Sequence, residues 1–232
     1  MLKHTPEPGE RGHLSQRGID FILRYTETLR TLFHAKLFEV MEGSNGPNGR
    51  EWANVVDHSI AVGRALDVLG ALLGFSQEQR DHLAQVGLIH DWNKRLTKDE
   101  TSFTPEERLR AETYARETLA EHDPEGHLID ATEPRGLPRL ESGAATLPEH
   151  CVHFIDLSCL PQGLVTPEER FADFVRRGKT ADEDGQRDMW ERKKALVAKE
   201  EAMFLDIIRK RGRAVPEGVR LRDVLKDAME QA

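Results

Sequence analysis

The sequence predicts an all-α protein, and three observations carry that reading. Apolar residues recur at helical spacing, i, i+3, i+4 and i+7, through most of the chain. Three segments open with Ser or Thr followed three residues later by Gln or Glu: Ser76–Gln79, Thr104–Glu107 and Thr166–Glu169. Such a pair marks a helix N-terminus, because each side chain accepts a hydrogen bond from the other residue's backbone N–H. Nowhere do apolar and polar residues alternate with the two-residue period of a half-buried strand.

The elements follow in order. Residues 1–15, rich in Pro, Gly and charge, are expected to be disordered. Residues 16–232 read as one all-α domain. A helix is predicted from Gln16 to Met41, with Ile19, Ile22, Leu23, Leu29, Phe33, Leu37 and Val40 inward, until the G-S-N-G-P-N-G stretch at 43–49 breaks it. A second helix is predicted from Arg50 to Gly74, with Trp52, Val55, Val62, Leu66, Leu69 and Leu73 as its buried stripe. His58 stands three residues after Val55 and four before Val62, so it points inward with them.

A third helix starts at Ser76, where Leu83, Val86, Gly87 and His90 share a face and Lys94 follows one turn on. Thr104 caps a fourth helix, with Pro105 at its first position and Leu109, Ala115, Leu119 and His122 facing in. Residues 123–147 contain Pro124, Gly126, Pro134, Gly136, Pro138 and Gly143 and read as a long loop, a length that suits a lid. A fifth helix from near Pro148 puts Val152, Asp156 and Cys159 on one stripe, with His153 one turn before Asp156. After Thr166 comes a short helix with Phe171 and Phe174. A long amphipathic helix over 184–210 buries Trp190, Val197, Phe204 and Ile208 and stops before Gly212. A last helix spans Leu221 to Glu230.

Composition excludes some functions. With 33 Lys and Arg against 41 Asp and Glu the net charge is −8, which argues against a general nucleic-acid coat. The basic runs at 176–179, 192–194 and 209–213 read as solvated helix faces, balanced by Glu191, Glu200 and Glu201. Cys151 and Cys159 lie in one apolar stretch and read as buried thiols of a reducing compartment. No apolar run reaches membrane-spanning length and no signal-peptide core precedes the helices, so a cytoplasmic protein without a membrane partner is expected. No phosphate-cradling glycine loop and no G-x-S-x-G elbow occur.

Chemistry concentrates in His58, His90, Asp91 and Asp156. Any one of them alone would read as a satisfied core or cap residue. Together, two imidazoles and two carboxylates on apolar helix faces are costly to bury unless something compensates them, and one cation compensates all four. Such a nitrogen and oxygen donor set is open to Mn, Mg, Fe, Ni, Co or Zn.

The pattern His58, then His90-Asp91, then Asp156 resembles the HD superfamily of metal-dependent phosphohydrolases. N-V-V-D-H-S is similar to the segment around that family's first histidine. H-D-W-N-K looks like the H-D-x-x-K form of its doublet helix, and F-I-D-L-S is a looser match to the helix of its last aspartate. The resemblance covers residues 50–160 and implies an HD-domain-like helical bundle, here with extra N-terminal and C-terminal helices (166–230). It implies a divalent metal held by His58, His90, Asp91 and Asp156. Asp91 would bridge metals or orient the nucleophile, and Lys94 and Arg50 would contact a substrate phosphate. His122, His150 and His153 are candidates for a second metal or a phosphate contact, because two-metal members place histidines between the doublet and the last aspartate. The expected substrate is a phosphorylated small molecule such as a nucleotide. A metal-dependent nuclease cutting single-stranded nucleic acid, a non-catalytic helical module with a degenerate site, and a di-iron oxygenase are the alternatives. Self-association into a homo-oligomer stays open.

Overall fold

The computed structural model describes residues 16–35, 45–46, 50–51, 53–98, 103–176 and 184–230. The expected disorder of residues 1–15 lies outside them, as do residues 36–41 of the first predicted helix. Where one helix was expected there are two, α1 (Gln16–Arg24) and α2 (Thr26–His34), meeting at Tyr25. Phe21, Tyr25, Leu29 and Leu32 are buried, whereas Leu23 is 66% exposed. Tyr25 sets this face: its ring packs on Phe21 at 4.7 Å and its hydroxyl donates to Asp81 Oδ1 at 2.7 Å. β1 (Asn45–Gly46), in the predicted break, pairs antiparallel with β2 (Arg50–Glu51), so the second helix does not begin at Arg50 as expected.

The central pair is α3 (Ala53–Leu73) and α4 (Gln77–Ile89), joined by a turn at Gly74. The expected capping box forms: Gln79 N–H donates to Ser76 Oγ, and Ser76 N–H donates to Gln79 Oε1. Val62, Ala65, Leu66 and Leu69 of α3 bury against Leu83 and Val86 of α4. The two backbones touch at Gly63 and Gly87, where a methyl group on Gly87 would sit 2.8 Å from Gly63 Cα. Only residues without side chains permit that approach. His58 precedes Gly63 and His90 follows Gly87, so in this antiparallel pair both histidines stand at the same end.

α4 stops at Ile89, short of the expected Lys94, and α5 (Asn93–Lys98) follows a turn over 90–92. α6 (Pro105–His122) has its predicted Thr104–Glu107 box but buries Ala111 and Ala115, while Leu109 is 65% exposed. The inward face is therefore the alanine side, where small residues let the helix lie close. Residues 123–147 are not a loop. They hold α7 (His127–Asp130), a 3-10 turn over Pro134–Gly136 and α8 (Leu137–Glu141). Asp123 Oδ2 accepts from Ile129 N–H at 2.9 Å, and Ala131, Leu137 and Leu140 pack on Leu196. Helices this short carry no readable period.

α9 (Leu147–Asp156) starts at Thr146, whose N–H and hydroxyl both donate to Glu149 Oε2 at 2.7 Å. A second two-stranded ladder, β3 (Cys159–Leu160) with β4 (Gly163–Leu164), corrects the expectation of no strand. It leads into α10 (Pro167–Arg176), α11 (Asp184–Lys210) and α12 (Leu221–Glu230). One core gathers α3, α9 and α10 to α12, with Phe154 and Phe204 edge to face at 5.5 Å. The other gathers α1, α2, α4 and α6. Beyond the two ladders, the regular structure of the described residues is helical, and the chain is all-α. No helix among the described residues is long and apolar enough to cross a membrane.

Candidate metal centre

His58 comes from the first turns of α3, His90 and Asp91 from the turn that ends α4, and Asp156 from the last residue of α9. His58, His90 and Asp91 are buried. His58 Nε2 lies 3.0 Å from Asp156 Oδ1 and 3.8 Å from Asp91 Oδ2. His90 Nε2 lies 3.5 Å from Asp156 Oδ1 and 3.4 Å from Asp91 Oδ2. The two imidazoles meet edge to face with centroids 5.2 Å apart.

The hydrogen bonds define the donor atoms. His90 Nδ1 is 2.8 Å from the Gly87 carbonyl, which can only accept, so Nδ1 carries a proton and the neutral ring has its lone pair on Nε2. That Nε2 is buried and has no hydrogen-bond partner. An anchored Nδ1–H with an open Nε2 is how a metal-ligating imidazole is held. Burial pushes the His58 imidazole down, against the pull of Asp156. Burial also works against charging His90, but Asp91 and Asp156 outweigh it and the net shift is upward. For Asp156, burial favours the neutral acid, yet His58 and His90 hold it well below the usual carboxylate range. Asp91 is likewise opposed by burial and brought down by His90 and by the Lys94 ammonium, which hydrogen-bonds its Oδ2.

One donor atom each from His58, His90 and Asp156 lies within 4.8 Å of the others, so these three can hold a metal ion. The fit rests on the unpartnered His90 Nε2, a buried lone pair that a cation would satisfy. Asp91 Oδ2 borders the group while engaged with Lys94.

The remaining candidate residues have their own partners, and His153 Nε2 is buried without one. His150 and His153 direct Nδ1 at the two oxygens of buried Glu200 on α11, each at 2.8 Å. His122 packs its ring on His82 at 5.0 Å, and burial lowers its pKa. His127 pairs with Glu125 at 3.3 Å. The backbone of Arg50 lies in β2, and its side chain falls outside the described residues.

Glu200, Lys193 and Arg170 are among the buried charges that the sequence did not announce. Lys193 and Glu200 were expected on a solvated face. Their phase corrects that, since Lys193 stands one turn before Val197 and Glu200 stands four residues before Phe204, on the buried stripe. Arg170 Nη2 reaches 4.0 Å from Asp156 Oδ1. The chain matches no protein-family model, no curated protein and no solved structure.

Proposed function

We propose that this protein is a metal-dependent phosphohydrolase of the HD type, acting on a phosphate ester such as a nucleotide. The observation that supports it is the convergence of His58 Nε2, His90 Nε2 and an Asp156 oxygen from three helices, with His90 Nε2 left for a ligand. A divalent ion held by these three would supply Lewis acidity toward a phosphoryl oxygen and lower the pKa of a water. The chain's own residues supply the rest. Asp91, kept ionised by His90 and Lys94, is a proton acceptor beside the group and orients the attacking water. Lys94 holds Asp91 and sets an ammonium charge beside it that would attract a substrate phosphate. His58, held neutral by burial, stays a ligand rather than a cation.

The test is hydrolysis of a nucleotide panel and of a single-stranded oligonucleotide, with and without added divalent metal. Metal-stimulated release of phosphate from nucleotides, lost in Asp91→Ala, is the expected result. Cleavage of the oligonucleotide alone would make the protein a nuclease. No metal-stimulated reaction on either, with no bound metal, would make it a binding module.

A further inference from the structure

Two buried cations, Arg170 at the edge of the candidate metal group and Lys193 on the neighbouring helix α11, have no carboxylate oxygen at hydrogen-bond distance among the described residues. Arg170 Nη2 is 4.0 Å from Asp156 Oδ1, Nη1 is 4.0 Å from Asp173 Oδ2, and Nε has no hydrogen-bond partner. Lys193 reaches only the Thr132 carbonyl, at a long 3.4 Å. The nearby acids are already taken at closer range: Lys94 hydrogen-bonds Asp91, and Arg176 Nη2 lies 2.5 Å from Asp173 Oδ1.

What holds these two charges is aromatic. The Arg170 guanidinium carbon lies 4.5 Å from the centroid of Phe174, and Lys193 Nζ lies 5.6 Å from that of Trp190. The two rings pack on each other at 4.5 Å. A cation on an aromatic face is stabilised by the ring quadrupole while its N–H donors stay available. The stack ties Lys193 of α11 to Arg170 of α10 on the Asp156 side of the site, where the Arg170 Nε, buried without an acceptor, calls for an anion.

We propose that Arg170 and Lys193 form a second anion subsite next to the His58–His90–Asp156 group, and that the substrate carries at least a diphosphate. The reacting phosphoryl lies at the group, and the neighbouring phosphate lies on these two cations. This rests on the phosphohydrolase reading for which phosphate reacts, but the subsite itself is a matter of binding.

Isothermal titration calorimetry with sodium pyrophosphate and with sodium orthophosphate tests it on the protein as purified, with metal content measured before and after each titration. Pyrophosphate is expected to bind about tenfold more tightly than orthophosphate, the worth of one added charge-assisted contact. Lys193→Met should weaken pyrophosphate about tenfold and orthophosphate by less than about threefold. Lys193→Arg should restore the preference. Arg170→Met gives the same reading if Lys193→Met does not fold. Equal affinities in the wild type, absence of binding, or equal loss of both anions in the variant would overturn the subsite. A pyrophosphate preference without any hydrolysis would leave the subsite standing and remove the phosphohydrolase; hydrolysis with equal affinities would do the reverse.

Discussion

Gly87→Ala probes the contact on which the site depends. A methyl group there would meet Gly63 Cα at 2.8 Å, Leu66 Cδ1 at 2.8 Å and Gly63 N at 2.9 Å. Two of these three are backbone atoms, which cannot rotate away, so the overpacking cost falls near the top of its usual range, about 3 kcal/mol. Alanine returns about 1 kcal/mol through its better helix propensity. The net is a loss of about 2 kcal/mol, or roughly 4–8 °C in Tm for a chain of this size. Because α3 and α4 must part to admit the methyl, His58 and His90 separate and bound metal should fall with stability. Gly63→Ala should cost less, since its methyl would meet Ala84 O at 3.1 Å and two side-chain atoms, Leu88 Cγ and Phe21 Cζ, at 3.2 Å. Thermal melts by far-UV circular dichroism, with metal content on the same samples, read both effects. A rise in Tm for Gly87→Ala, the sign that propensity alone would give, with metal unchanged, would refute the reasoning.

Other expectations follow from single contacts. Glu149 is buried and takes Arg139 Nε at 2.6 Å and the Thr146 donors; burial would raise its pKa, but these partners outweigh it and hold the carboxyl below its ordinary value. A lowered carboxylate stabilises the fold above its unfolded pKa, and that stability disappears as pH falls through the folded value. Glu149→Gln should therefore lose about 1–2 kcal/mol at neutral pH and show a shallower acid limb of Tm against pH; parallel curves would contradict this. Burial raises the thiol pKa of both Cys151 and Cys159, so a thiol reagent should label neither in the native protein and both in denaturant, and rapid native labelling would count against it. Phe204→Ala, at a fully buried ring on Phe154, should cost about 3–5 kcal/mol in denaturant unfolding. Leu109→Ala, on the exposed side of α6, should change stability by less than about 0.5 kcal/mol, and a larger loss there would restore the face first expected.

Much of the fold was legible because helix ends carry local chemistry. The Ser76–Gln79 and Thr104–Glu107 boxes need only four residues to declare themselves, and both form as read. The inward phase of His58 was equally local, being set by Val55 and Val62 on either side. What failed depended on partners distant in sequence. The face of α1 and α2 was set by Tyr25 bonding Asp81, 56 residues away, so Leu23 turned outward despite its spacing. Residues 123–147 read as loop because α7 and α8 span only four and five residues, too few for a helical period. His150 and His153 lie in the right order for ligands, and Glu200 on a later helix, which their own segment does not announce, takes the Nδ1 of both and leaves His153 Nε2 buried without a partner. Glu200 and Lys193 were readable in principle, since both fall on the Val197–Phe204 stripe; their charge masked their phase.

The central claim is that His58, His90 and Asp156 together hold one divalent ion. Elemental analysis by inductively coupled plasma mass spectrometry, on protein purified without chelator, tests it most directly. About one divalent ion per chain is expected in the wild type, falling to less than about a tenth in His90→Ala at preserved helix content, because that change deletes one ligand of three. A wild type that takes up no metal even after incubation with Mn, Fe, Ni, Co or Zn salts, or a His90→Ala protein that retains the wild-type amount, would contradict the account.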